Sequence, residues 1–263
     1  MSVQTATSLY TALVDDAGLF PPTSLHMDEA LARNRRDLER DSRILTHRFL
    51  CPASRLDRLR GMDYRPRRIG LIVDTSTLPD FADLPVDYVE MRLPADTTVA
   101  ELAERLALAD GIRLFAEVPP RKLALDLPDR VGLKVRCGGT TADAFPAVEH
   151  LGQFIRSCVE GGIPFKASAG LHHAVRHFDP SLGVDRHGFL NLLVAVCETV
   201  EGRDPVPALR TTDVGHLVRL AQAVQEDTAR QARRLMVSYG SCSTSAPLAD
   251  LRALGLVDEE EGL

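Results

Sequence analysis

Short apolar runs alternate eight times with segments of helical period along this chain, and that alternation restricts the fold more than any other feature. The apolar runs lie at 9–14, 46–52, 68–74, 86–93, 112–118, 131–138, 164–169 and 234–241, each of strand length. The clearest helical patterns fall at 27–41, 97–110, 142–160, 187–201 and 213–232, with shorter ones near 54–61, 76–83, 120–126 and 246–254. Eight such units within 263 residues predict an α/β fold, a (β/α)8 TIM barrel. An open doubly wound sheet would usually show a glycine-rich first turn opening a helix, and neither GxGxxG nor GxxxxGKS/T occurs. Residues 1–263 are expected to form a single domain, with 213–232 as an extra helix inserted before the last strand, after the link RDPVPALR.

The apolar fraction of 44% suffices for a large core, and a net charge of −6 with scattered arginines gives no basic footprint for nucleic acid. No run approaches the roughly 18 apolar residues of a membrane span, and MSVQTATSLYTALVDD lacks the basic and apolar regions of a secretory signal, so a cytoplasmic protein is expected. Cys51, Cys137, Cys158, Cys197 and Cys242 are odd in number, widely spaced and without a CxxC, which predicts free thiols. The acidic tail DEEEGL is expected to fray.

Side chains alternate along a barrel strand between the helix layer and the axis. In LKVRCG the apolar Leu133 and Val135 suit the helix side, which sends Lys134 and Arg136 inward. The same rule sends Lys166 and Ser168 inward from FKASAG, Glu90 and Arg92 from YVEMRL, Glu117 from LFAEV and Asp74 from GLIVD. A barrel axis is normally filled by aliphatic layers, and unpaired charge there costs several kcal/mol. This interior of both signs, with a slight cationic excess near the strand C-termini, suits a small anionic substrate. The alternative is a paired structural ion network.

Lys134 and Lys166 fall on consecutive strands, in LKVRCGGTTAD and FKASAGLHH. Burial and a neighbouring cation lower a lysine pKa, and the neutral amine can then attack a carbonyl to form a Schiff base. The two segments resemble the strands of lysine-dependent class I aldolases built on barrels, particularly the deoxyribose-phosphate aldolase group. In that group adjacent strands carry a K-T/A-S/A-x-G pattern, with one lysine forming the imine and a second lowering its pKa. Here the first strand reads Val135-Arg136-Cys137 after its lysine, where the group has small hydroxyl residues, so the resemblance leaves open which lysine reacts. DYVEMRL is also similar to the E-x-R strand of type I dehydroquinate dehydratases, another Schiff-base barrel.

The turns Gly138-Gly139-Thr140-Thr141 and Gly240-Ser241-Cys242-Ser243 follow the sixth and eighth strands and lead toward helices. Their N–H groups and hydroxyls could cradle a phosphate or carboxylate, or serve as ordinary turn and cap residues. His172, His173, His177 and His187 crowd a long loop after the seventh strand. They could bind a divalent metal such as zinc, with Glu117, Asp74 or Cys242 completing the shell, or transfer protons, or lie in solvent. Asp15 and Asp16 end the first strand, where a carboxylate is a base, a ligand or a cap. Cys137 and Cys242 read as small buried residues.

Together these observations favour a lyase of aldolase type acting on a small anionic carbonyl metabolite, with or without a phosphate, and needing no cofactor. Lys166 is the favoured nucleophile, Lys134 its pKa-lowering neighbour, and Glu117 or His172 the proton-transfer group. Arg92, Arg136, Glu90, Ser168, Gly138, Gly139, Gly240, Ser241 and Ser243 form the expected substrate and anion contacts. One alternative is a metal-dependent lyase or hydrolase built on His172, His173, Asp74 and Cys242; another is a non-catalytic anion-binding barrel. A homo-oligomer, most simply a dimer, is expected, with no nucleic-acid or membrane partner.

Overall fold

The computed structural model describes residues 6–120 and 127–258. In chain order the strands are β1 (Val14–Asp16), β2 (Leu45–Pro52), β3 (Ile69–Val73), β4 (Val86–Arg92), β5 (Arg113–Glu117), β6 (Val131–Arg136), β7 (Phe165–Ser168), β8 (His177–Asp179), β9 (Val184–Arg186) and β10 (Met236–Ser241). All except β8 and β9 are parallel and close a barrel in the order β1-β10-β7-β6-β5-β4-β3-β2. This is the (β/α)8 barrel that the alternation predicts.

The helices are α1 (Met27–Arg40), α2 (Leu56–Arg60), α3 (Val99–Leu106), α4 (Val148–Glu160), α5 (Phe189–Val200), α6 (Val206–Arg210), α7 (Val214–Ala223), α8 (Glu226–Leu235) and α9 (Ser245–Ala253). Local chemistry starts several of them. Thr98 Oγ1 accepts the Glu101 N–H while the Glu101 carboxylate accepts the Thr98 N–H, a reciprocal cap for α3. Asp213 caps α7 through the His216 N–H. α5 is buried along Phe189–Cys197 because α4, α6, α7 and α8 surround it, which explains its nearly continuous apolar sequence.

Four expectations change in detail. The run 9–14 is not the first strand: Thr7–Leu9 is a short 3-10 helix, Ala12 takes a φ of 50°, and the strand starts only at Val14. Leu9, Tyr10 and Leu13 are instead buried, with α8 packed over the 3-10 turn. The pattern 213–232 divides into α7 and α8, because Val224 and Gln225 are extended and Glu226 and Asp227 restart a helix with negative charge in its first turn. The segment 76–83, which contains Pro79, forms no helix. The loop after β7 contains the β8–β9 hairpin, whose Asp179-Pro180-Ser181-Leu182-Gly183 turn is tied by Asp179 accepting from Ser181 N, Ser181 Oγ and Leu182 N. Residues 121–126 of the expected short helix and residues 259–263 of the acidic tail lie outside the described residues.

Two apolar layers position the site. The larger lies between strands and helices, where Phe49, Leu71, Val89, Leu133, Val135 and Phe165 are at most 1% exposed. The smaller lies inside the barrel and is made of Ala17, Leu50, Tyr88 and Phe115, with Phe20 and Ile72 against it. Tyr88 and Phe115 meet edge to face at 5.3 Å. Gly70 and Gly132 leave the room these rings fill, since a Cβ at either would come within 2.8 Å of a ring carbon. Among the described residues no helix is long and apolar enough to cross a membrane.

Candidate active site

Above the Tyr88–Phe115 pair the barrel interior turns from apolar to ionic. Lys134 on β6 and Lys166 on β7 are register partners, so their side chains leave neighbouring strands at one level and on one face. Glu90 on β4 reaches both: its Oε2 lies 2.5 Å from Lys134 Nζ and its Oε1 lies 2.8 Å from Lys166 Nζ. The second contact is off the hydrogen-bonding direction, which leaves buried Oε1 without an aligned donor. Glu117 on β5 adds a 3.1 Å ion pair to Lys134. The strand parity expected for Lys134, Lys166, Glu90 and Glu117 is the observed one.

Asp15 on β1 anchors the other side of Lys166, with Oδ2 2.5 Å from Nζ. It is fully buried and accepts four further hydrogen bonds, from Thr46 Oγ1 at 2.6 Å, Arg48 at 2.7 Å, Tyr88 OH at 2.8 Å and Ser238 Oγ at 2.7 Å. Lys166 also donates to the Tyr88 hydroxyl. Arg48 reaches outward to Asp87 as well. Asp16 has the opposite parity and faces α1, where it pairs with Arg33 and accepts the Gly18 N–H. Burial raises the Asp16 pKa, against the pull of Arg33.

These environments give the two lysines different protonation behaviour. Burial pushes Lys166 down to about 7; Asp15 opposes that fall and the Arg48 guanidinium assists it. Burial also works against charge on Lys134, but Glu90 and Glu117 outweigh it and raise its pKa. Lys134 is therefore the fixed cation, and Lys166 the amine that can be neutral near pH 7. Arg48, rather than the expected Lys134, is the principal cation acting on Lys166, because Lys134 is compensated by two carboxylates. Burial raises the Glu90 pKa against the same lysine's pull.

Around the mouth, Arg92 and Arg136 are exposed at the ends of β4 and β6, in register with Glu117 and Ser168. Ser168 Oγ is buried and has no hydrogen-bond partner among the described residues. Gly240 lies beside it on β10, with Leu50 and Ala17 nearest. The turn hydroxyls are used locally: Ser241 Oγ donates to Ser243 O, and Ser243 Oγ accepts the Ala246 N–H at the start of α9. Gly138 and Gly139 are packing positions. A Cβ on Gly138 would lie 2.5 Å from the Phe145 ring and 2.9 Å from Gly170, and one on Gly139 would lie 2.7 Å from Ala144. Gly170 itself has a φ of +74° against the Gly138 backbone. Gly170→Ala is expected to cost about 1–3 kcal/mol in chemical denaturation, through left-handed strain plus that close approach.

The histidines separate. His172 is half-buried, with Nδ1 3.6 Å from Cys242 Sγ, and burial and the Arg186 charge lower its pKa. His173 faces Asp250 at 3.5 Å and meets the His177 ring edge to face. His177 Nδ1 is 3.0 Å from Val175 O. His187 is buried between the Pro146 carbonyl and Arg176, and burial takes it down to about 4, so it is neutral. Asp74 is exposed and holds Ser54 N and Oγ at 2.9 and 2.5 Å. Of His172, His173, Asp74 and Cys242, the set expected for a metal-dependent enzyme, only His172 and Cys242 meet in a described contact, and among the described residues no three His, Cys, Asp or Glu side chains converge as ligands. Burial pushes Cys137 up to about 12.

Thr46, Arg48, Tyr88 and Ser238 escaped the sequence reasoning, although alternation in THRFLCP, VDYVE and MVSYG places all four inward. A second signal is compositional: the chain has three lysines against 28 arginines, and two of the three meet inside the barrel. Arginine serves nearly everywhere that a cation suffices, whereas Lys166 of the interior pair is a residue able to become a neutral amine. No known family matches the sequence, and no curated protein does.

Proposed function

We propose that this barrel is an enzyme of aldolase or related lyase type, which forms an imine between Lys166 and a small anionic carbonyl compound. The observation that carries the reading is the pairing of two of the chain's three lysines across β6 and β7, with Glu90 between them and, of these two, Lys166 lowered to about 7 and Lys134 raised. The barrel mouth at the strand C-termini, the usual place for chemistry on this fold, supports it.

In this mechanism the neutral Lys166 amine attacks the carbonyl carbon, the carbonyl electron pair moves to oxygen, and the carbinolamine loses water to give the iminium. Glu90, within reach of both lysines, carries protons during that dehydration. Lys134 stays charged and favours electron density drawn toward it, while Glu117, 13% exposed and the most open of the three carboxylates paired with the lysines, faces the substrate. The forks of Arg92 and Arg136 hold the carboxylate or phosphate.

Borohydride reduction with a panel of keto acids and aldehydes tests the proposal. One reduced adduct per chain, mapped to Lys166 and lost in Lys166→Met, is expected. Lys122 and Lys134 are the only competing lysine side chains. No adduct with any probe, or adducts confined to Lys122, would remove the imine reading and leave a barrel whose charges only pair.

A further inference from the structure

The five cysteines have unequal surroundings. Cys51, Cys137, Cys158 and Cys197 are at most 1% exposed; burial pushes Cys51, Cys137 and Cys197 up to about 12 and raises Cys158 as well. Cys242 is 7% exposed and touches an imidazole. Its neighbour comes from the next strand of the barrel: β7 and β10 are paired, the Gly170 turn follows β7, and His172 stands over the first residue beyond β10. The backbone at Cys242 is held, with Arg33 donating to its carbonyl at 2.8 Å and Thr244 Oγ1 donating to Asp37 at 2.6 Å. The thiol and the imidazole thus lie against each other at 3.6 Å, at the mouth where barrel chemistry takes place.

We propose that Cys242 and His172 form a second reactive centre, a nucleophilic thiol served by an imidazole base, which bonds a soft carbon electrophile. A lowered His172 pKa leaves the ring neutral near pH 7, so Nδ1 can accept the S–H proton. As the Sγ–C bond forms, that proton passes to Nδ1 and the leaving group departs with its electron pair. On an aldehyde the π pair goes to oxygen, which takes the proton back and gives a hemithioacetal. Nothing is oxidised or reduced. The centre does not depend on imine formation at Lys166, and it can exist whether or not that reading holds.

Timed alkylation of the full chain with iodoacetamide near pH 7, read by peptide mass spectrometry, tests it. Sγ–C forms, C–I breaks, iodide leaves and His172 takes the proton. Cys242 is expected to react at least about tenfold faster than each of the other four thiols, and His172→Gln to remove about tenfold of that rate without changing theirs. Equal rates for all five, or a Cys242 rate unaltered by His172→Gln, would overturn the pair; the second result would assign the selectivity to exposure alone. A variant that unfolds reveals itself by labelling all five together, and the wild-type pH profile then decides. An inflection below 6.5, where His172 takes up a proton, is expected. A profile without that inflection would overturn the proposal.

Discussion

Asp15→Ala is expected to destabilise the protein by about 3–5 kcal/mol in chemical denaturation, the scale of breaking one partner out of a buried ion pair. The carboxylate is fully buried and gathers Thr46, Arg48, Tyr88, Lys166 and Ser238. Removing it strands the buried Arg48 guanidinium, 7% exposed, and leaves the Lys166 amine, 1% exposed, without its main acceptor; neither can reach water without opening the barrel. Glu90 offers Lys166 partial compensation; Arg48 retains Asp87. Combining the substitution with Lys166→Met should therefore recover part of the loss, because the two residues are directly coupled. A loss below about 1 kcal/mol would mean that water or rearrangement satisfies these buried donors. The pH dependence has a definite sign. Lys166 and Arg48 hold Asp15 well below the carboxylate range despite its burial, so the folded state keeps the charge that the unfolded chain loses first on acidification. The stability gap between wild type and Asp15→Ala is complete above about pH 4 and narrows as pH falls toward the folded pKa.

The barrel was legible because its signals are local and repeated. Each strand carries its own apolar run, and the period-two rule gave the direction of Lys134, Lys166, Glu90 and Glu117 without tertiary information. The first strand misled because Leu9, Tyr10 and Leu13 have strand-like composition but are buried around a 3-10 turn, where burial rather than backbone pairing fixes them. The α7–α8 break and the β8–β9 hairpin depend on two and five residues, Val224-Gln225 and the Asp179–Gly183 turn, too short to stand out from the periodicity around them. The site was half legible. Which charges point inward follows from alternation; which of them pair does not, because pairing depends on strand stagger and side-chain reach. Sequence order puts Asp15 beside Asp16 and alternation turns them to opposite faces, but only barrel closure brings Lys166 to the first and only the packing of α1 brings Arg33 to the second. Closure also brings Cys242 to His172 across 70 residues of chain. Adjacent histidines diverge by the same geometry, with His172 turned to Cys242 and His173 to Asp250.

Imine formation at Lys166 is expected to rise with pH through a midpoint near 7 instead of the 10.5 of an ordinary lysine. At pH 7 the neutral fraction is then about a thousandfold larger than that of an exposed lysine, and the initial rate of borohydride-trapped adduct should reflect that factor. The cause can be tested by sign. Arg48 disfavours a positive Lys166, so Arg48→Gln should move the midpoint upward and slow trapping at pH 7 by about tenfold. Asp15 favours the charged amine, so Asp15→Asn should move the midpoint downward. Arg48 and Asp15 are bonded to each other at 2.7 Å, and general damage to the barrel would lower both rates without separating their midpoints. Opposite displacement requires that each residue act on the amine through its own charge. Lys134, raised by Glu90 and Glu117, should take adduct only at higher pH than Lys166 does. Adduct that appears first on Lys134, or a Lys166 midpoint near that of a free lysine, would reverse the assignment and make Lys166 the structural member of the pair.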